Sequence, residues 1–237
     1  GPLSEEFRNR GCSVIIDPHL FKYSNPEDIK EFVKLFDLVI INSLVSSPFI
    51  TIFGDYCKRL VWWLHETEAS YKYARLNPDL QCSFSKTDLI WLGSPNCIQC
   101  AREYIDDSVM RLLIYGLEDY AFEDNNFSEL NELNFILVGT IEPRKGQHIF
   151  VKAIEKIQYE LRKRCRFIII GDSRDDKYMD ELTKITTYIP EIEIIPSISH
   201  DDYVRNYLAK SILICCSTDD PMPLVVTEGL MLGRLCI

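Results

Sequence analysis

Phe135-Ile136-Leu137-Val138-Gly139-Thr140-Ile141-Glu142-Pro143-Arg144-Lys145-Gly146 passes from an apolar run through a glycine into two cations, and an amphipathic stretch follows from Gln147. Four apolar residues closed by a turn signal read as a buried strand, and Gln147 to Arg164 reads as a helix. A glycine at the strand end permits close approach of another group. The cations precede a helix N-terminus, where unpaired N–H groups and the dipole favour an anion. The loop is a candidate phosphate site. The same residues suit a solvated loop whose Arg-Lys pair meets only water, and spacing alone leaves both readings open.

The strand-then-helix rhythm continues on both sides of this stretch, as it does in a parallel sheet with crossover helices. Downstream, Phe167 to Ile170, Ile192 to Ile195, Ile212 to Cys216 and Leu235 to Ile237 read as strands, and Asp176 to Tyr188, Asp201 to Lys210 and Leu224 to Leu232 as helices. Upstream, Val14 to Ile16, Leu38 to Ile41, Arg59 to Leu64, Asp88 to Leu92 and Leu112 to Tyr115 read as strands. Pro26 to Phe36, Glu66 to Leu76 and Pro95 to Tyr104 read as the intervening helices. Continuous apolar strands such as Phe167-Ile168-Ile169-Ile170 imply burial on both faces. Between the two series lies an acidic, Asn-rich stretch without a period.

The expectation is therefore an α/β protein with two Rossmann-like, doubly wound parallel sheets. An N-terminal domain spans 5–118, a linker 119–132 and a C-terminal domain 133–237. The first series opens in a helix at Glu5 to Arg10 and the last stops inside a strand at Ile237, so both domains read as incomplete, the N-terminal one above all. Gly1-Pro2-Leu3-Ser4 reads as a protease-cleavage scar.

Composition narrows the function. In 237 residues, 46% are hydrophobic and 26% charged, which suits a globular core. The formal charge of −10 argues against a general nucleic-acid binder, since the long-range field repels polyphosphates. The longest uncharged stretch, Leu38 to Gly54, is broken by Asn42, three serines and Pro48, so it is a poor membrane span. Nine cysteines, an odd number in a chain of this size, read as reduced thiols and a cytoplasmic setting. Cys97-Ile-Gln-Cys100 has no second pair and the four histidines are scattered, so no metal and no cofactor is expected.

A second constellation, Asp219-Asp220-Pro221-Met222-Pro223-Leu224-Val225-Val226-Thr227-Glu228, again leaves a strand and enters a helix. Asp220 falls in the loop above the sheet edge and Glu228 about one and a half turns into the helix. Carboxylates so placed can accept from sugar hydroxyls while N–H groups near Leu224 stay open to a phosphate. The plainer reading is an acidic residue complementing the dipole and a surface glutamate. His65 ends the apolar strand Val61 to Leu64, and Glu66 and Glu68 read as caps of the following helix.

GTIEPRKG, FIIIGD, IIPSISHDDYVRNYLAKSILICCS and DDPMPLVVTEGLMLG, in this order and spacing, resemble the nucleotide-binding domain of family 4 retaining glycosyltransferases of the two-Rossmann GT-B type. The resemblance spans Leu133 to Ile237. FDLVIINS, LVWWLHE, DLIWLGS and LLIYGLED resemble, more loosely, the acceptor-side domain. It implies a metal-independent transfer of a hexosyl or deoxyhexosyl group from a nucleoside diphosphate sugar to a hydroxyl, with retention, in polysaccharide or glycoconjugate synthesis. The implied acceptor is a saccharide or lipid-linked saccharide.

By position, the resemblance places Gly139, Thr140, Arg144, Lys145, Ser197, Ile198, Pro223 and Leu224 around the donor. Lys145 would hold the diphosphate, Glu228 would accept from the ribose hydroxyls, Ser197 and Ile198 would flank the base, and Asp220 would contact the donor sugar. His65 would face donor sugar and acceptor across the interdomain cleft. The departures are Thr140 in place of a frequent arginine, aspartate in place of glutamate at Asp220, and Pro221-Met222-Pro223 in place of a glycine-rich turn. Tyr115 stands in place of an asparagine. They leave a second reading, a non-catalytic module of this type that binds a nucleotide or a partner protein. The basic run Arg162, Lys163, Arg164, Arg166 complements a helix C-terminus and, with a lipid-linked acceptor, suits a peripheral contact with the inner face of a membrane.

Overall fold

The computed structural model describes residues 3–17, 27–74, 77–114, 116–117 and 133–237. Pro26, Leu76, Tyr115 and the linker expected at 119–132 lie outside them. The chain divides into two compact units, Gly1–Leu113 and Ile114–Ile237, and all nine cysteines are thiols.

In the first unit, α1 (Ser4–Asn9) buries no residue, and α2 (Glu27–Lys34) leads to β1 (Val39–Asn42). The further strands are β2 (Leu60–Leu64), β3 (Leu89–Leu92) and β4 (Met110–Leu112). All pair parallel in the order β1-β2-β3-β4, with Ile41 beside Trp62 and Trp62 beside Ile90. Over that face lie α3 (Ser47–Phe53), α4 (Glu68–Ala74), α5 (Pro78–Ser85) and α6 (Pro95–Ala101), contributing Ile50, Tyr71, Phe84 and Cys97 to one core. Successive right-handed crossovers in one direction put their helices on the same side, so α3–α6 cover one face rather than winding doubly.

Val14 to Ile16 form no strand. Ile15 and Ile16 are exposed and pair with no ladder. Ile15, Ile29, Phe32, Phe36 and Ile40 line an apolar groove beside β1, whose outer side has no strand partner among the described residues.

In the second unit β5 (Leu133–Val138), β6 (Cys165–Ile170), β7 (Ile192–Ile195) and β8 (Ile212–Leu213) form a parallel sheet in the order β7-β6-β5-β8. A parallel bridge from Leu213 to Cys236 extends it by one more segment. Alternate residues separate two cores. Leu137, Phe167 and Ile169 meet α7 (Gln147–Glu155) and α9 (Asp176–Thr186) through Phe150, Ile154 and Leu182. Ile136, Ile168 and Ile170 turn to the other face, against Tyr203, Val204 and Leu208. This sheet is doubly wound, and its direction reverses between β5 and β8, the crevice where ligands bind in open α/β sheets.

The helix expected from Gln147 to Arg164 stops at Glu155, and a separate turn, α8 (Tyr159–Arg162), follows. Ile157 packs on the core, and Arg162 pairs with Glu191 at 3.2 Å. Asp201 to Lys210 changes pitch within one run: α10 (His200–Asp202), a π turn at Tyr203–Tyr207, then a 3₁₀ turn at Leu208–Lys210. Single π turns recur at functional sites, and this one carries Tyr203. The final helix, α11, spans Leu224–Met231.

Candidate functional site

At the end of β5 the chain runs beside the end of β6. The N–H of Gly139 donates to Ile170 O at 3.0 Å, and that of Ile141 to Asp172 O at 3.0 Å. A Cβ on Gly171 would lie 2.1 Å from Gly139 O, so only glycine lets the two loops touch. Pro143–Lys145 form a 3₁₀ turn, and Gly146, at φ +73°, takes the left-handed conformation before α7. A Cβ there would meet Cys216 O at 2.1 Å, so the loop is seated directly on the segment that follows β8. Buried Gln147 fastens the base by donating Nε2–H to Thr140 O at 2.9 Å.

This seating brings the two cations to the second loop. Lys145 Nζ donates to Asp220 Oδ2 at 2.5 Å, both side chains being largely buried, and Arg144 Nη1 stands 3.9 Å from the same oxygen. Arg144 also donates to Asp219 O at 2.8 Å and to Glu142 Oε1 at 2.6 Å. The Lys145 stem lies against Gly139. The Arg-Lys pair is thus engaged with the loop of the second constellation.

Beside it lies a cavity of about 510 Å³ at the carboxyl edge of β5–β7. Of the residues expected around the donor, Gly139, Thr140, Ser197, Ile198, Leu224 and Glu228 line it, while Arg144, Lys145, Asp220 and Pro223 do not. Pro223 is the N-cap of α11 and supplies no side-chain cap, so the first N–H groups of that helix, at Leu224 and Val225, face the cavity region without a cap. Glu228 is 6% exposed and its Oε1 lies 2.8 Å from His200 Nε2.

Asp172, Arg174, His200 and Tyr203 line the same cavity and were not singled out by the sequence. Asp172 Oδ1 accepts from Ser197 N–H at 3.0 Å; that bond holds its carboxyl below the usual carboxylate range and pins the loop after β7. Burial first, and then the Glu228 carboxylate beside it, push the Tyr203 phenol up. The position of Asp172, directly after FIIIG, is the signal that could have found it.

His65 lies in the other unit, at the end of β2. Its Nε2 sits 2.8 Å from Asn42 Oδ1, and burial lowers its pKa below the ordinary histidine value, against a smaller upward pull from Glu66, so the ring is neutral at neutral pH. Glu66 does not cap the following helix. Its carboxylate accepts from Ser43 Oγ at 2.6 Å, Leu44 N–H at 2.7 Å and His65 N–H at 2.8 Å, tying the end of β1 to the end of β2. Ser43 holds φ +68°, a strained value for a non-glycine residue that this network stabilises. Glu68 pairs with Lys72 at 2.8 Å.

No group of three or more His, Cys, Asp or Glu is arranged to hold a metal ion among the described residues. Nor is any described helix long and apolar enough to cross a membrane. Within the basic run, Arg162, Lys163 and Arg166 each pair with a glutamate.

Residues 120–237 match the family described as glycosyl transferases group 1. No curated protein matches the sequence significantly. Among solved structures, Anabaena HepE in complex with UDP and glucose superposes with TM-score 0.74 at 15% identity, over 94% of this chain and 64% of that one. Sucrose-phosphate synthase from Thermosynechococcus elongatus gives 0.71 at 17% identity, over 94% and 62%. A UDP-forming trehalose-phosphate synthase from Burkholderia xenovorans gives 0.69 at 13% identity, over 86% and 58%. The likeness is one of fold, the two-Rossmann GT-B fold, and the chain spans 58–64% of the length of these structures.

Proposed function

We propose, from a second unit that carries the glycosyl transferases group 1 pattern on a GT-B fold, that this protein moves a sugar from a nucleoside diphosphate sugar to a hydroxyl acceptor with retention and without a metal ion. The observation that carries the reading is the cavity at the carboxyl edge of β5–β7. It is bordered by the glycine turn of β5, the uncapped start of α11 and the buried carboxylate of Glu228.

Each part then has a task. Glu228 accepts from the ribose hydroxyls, and Ser197 and Ile198 flank the base. The growing charge on the departing diphosphate is met by the α11 N-terminus and by Lys145. Lys145 reaches a phosphate oxygen with an ammonium N–H that Asp220 does not take, or by exchanging that partner, and Arg144, 3.9 Å from Asp220, serves as a second counter-charge. Asp220 is proposed to contact the donor sugar and His65 to serve the saccharide or lipid-linked saccharide acceptor. A cytoplasmic setting at the inner membrane face belongs to the same proposal.

The Lys145–Asp220 pair also favours a second reading, in which the two groups satisfy one another permanently and the chain is a binding module without turnover. A thermal-shift panel of UDP, GDP, ADP and their sugars tests the donor pocket: stabilisation by one of the bases is expected, and no shift with any of them refutes it. Turnover by the full-length protein, wild type against Glu228→Ala, separates the readings. Transfer in the wild type that collapses in the variant supports the enzyme, and absent transfer in both supports the module.

A further inference from the structure

Three loops meet at the carboxyl edge of the second unit's sheet and line the cavity, with Gly139 and Thr140 after β5, Gly171 and Asp172 after β6, and Ser197 and Ile198 after β7. Main chain joins the first two: Ile141 N–H donates to Asp172 O at 3.0 Å, and Gly171 lies so close to Gly139 O that a Cβ would meet it at 2.1 Å. The third leaves the ladder differently. Glu191 O and Ile195 O accept from the N–H groups of Phe167 and Gly171 at 3.0 and 3.1 Å, so alternate residues of this segment face β6, and Ser197 is the next of that series. Pro196, which has no N–H, sits between them on the other side. The Ser197 N–H meets the Asp172 carboxylate, Oδ1 accepting at 3.0 Å, where a continued strand would offer a carbonyl.

Asp172 therefore ties two loops to its own, one through its carbonyl oxygen and one through its side chain. Ser197, by its N–H first and its side chain second, holds the carboxyl below the usual carboxylate range, so the group is ionised at neutral pH and the bond is charge-assisted. Arg174 lies two residues on in the same lining, and the Lys145–Asp220–Arg144 cluster stands beside the cavity. Charge and bond can nevertheless be told apart. A carboxamide keeps an acceptor oxygen in place and drops the charge, whereas a glutamate keeps the charge and carries the oxygen one methylene further.

We infer, on the reading of this cavity as the nucleotide site, that Asp172 is a positioning residue that sets the loop after β7, with Ser197 and Ile198, as a fixed wall for the nucleotide base. A wall held in place before the ligand arrives spares the ordering of that loop on binding, and a released loop has to be ordered by the ligand, which weakens the complex. The loss falls on base discrimination, because the proposed phosphate and ribose contacts lie on other elements.

The test is calorimetric titration of the chain with UDP, GDP and ADP at neutral pH, for wild type, Asp172→Ala, Asp172→Asn and Asp172→Glu. Wild type is expected to prefer one of the three. Asp172→Ala is expected to bind that nucleotide about tenfold weaker and to narrow its preference over the other two by a similar factor, while Asp172→Asn stays within about twofold of wild type. Asp172→Glu is expected to fall toward the alanine variant. An asparagine variant as weak as alanine, a glutamate variant as tight as wild type, or an alanine variant as tight as wild type overturns the inference and leaves the nucleotide site standing. So does a loss that is equal for all three nucleotides, or a wild type that binds them equally. Failure of the wild type to bind any of the three overturns the nucleotide site and this inference together. Should the alanine form not fold, judged by its melting transition, the asparagine and glutamate variants carry the same comparison.

Discussion

Single residues divide into those that hold the cavity's shape and those that carry its charge. Lys145→Ala is expected to lower sugar transfer by about 10²–10³-fold, the usual effect of removing one group that stabilises developing negative charge. Single-turnover rates check it, and an intact rate would transfer the role to Arg144 and α11. The sequence singled out Lys145 and Glu228 because a strand, a turn and a helix frame each, and of the two Glu228 lines the cavity. It concealed the pairing of Lys145 with Asp220, 75 residues apart, because no local pattern encodes which loops of a sheet edge meet.

Among the elements, the loop from β5 to α7 depends on Gly146, whose left-handed backbone and contact with Cys216 O leave no space for a side chain. Gly146→Ala is expected to cost about 1–3 kcal/mol in backbone strain alone, and more if Cys216 has to move. Thermal unfolding reads that cost, and a variant as stable as wild type would show that the loop sits elsewhere. Elements of strong period were legible. FIII is buried on both faces, as its continuous apolar character requires, and Leu224 opens a helix close to the expected register. Ser47–Phe53 was not, because Phe-Ile-Thr-Ile-Phe has the composition of a strand. Burial of Ile50 and Phe53 against the sheet outweighs that preference. Val14 to Ile16 erred in the opposite sense, since β-branched residues make a strand only where a ladder accepts them.

At the scale of the whole molecule, the cores of the two units share none of the described residues. Trp62 is fully buried in the first and Phe167 in the second. Truncating either to alanine is expected to cost about 3–5 kcal/mol. Because contacts are lost within one core, amide exchange should quicken throughout the unit that carries the substitution before it does in the other. Uniform acceleration across both would mean that the units unfold as one. The division into two α/β units was legible from the lapse of periodicity near Gly116, but the one-sided stacking of α3–α6 was not, since winding direction depends on strand order and a sequence does not print that order. Among the described residues β1 has no strand on its outer side, and this has a practical result. The exposed rings and side chain of Phe32, Phe36 and Ile40 line an apolar groove there, so the chain is expected to self-associate as its concentration rises, and light scattering should grow steeply unless a mild detergent covers the groove.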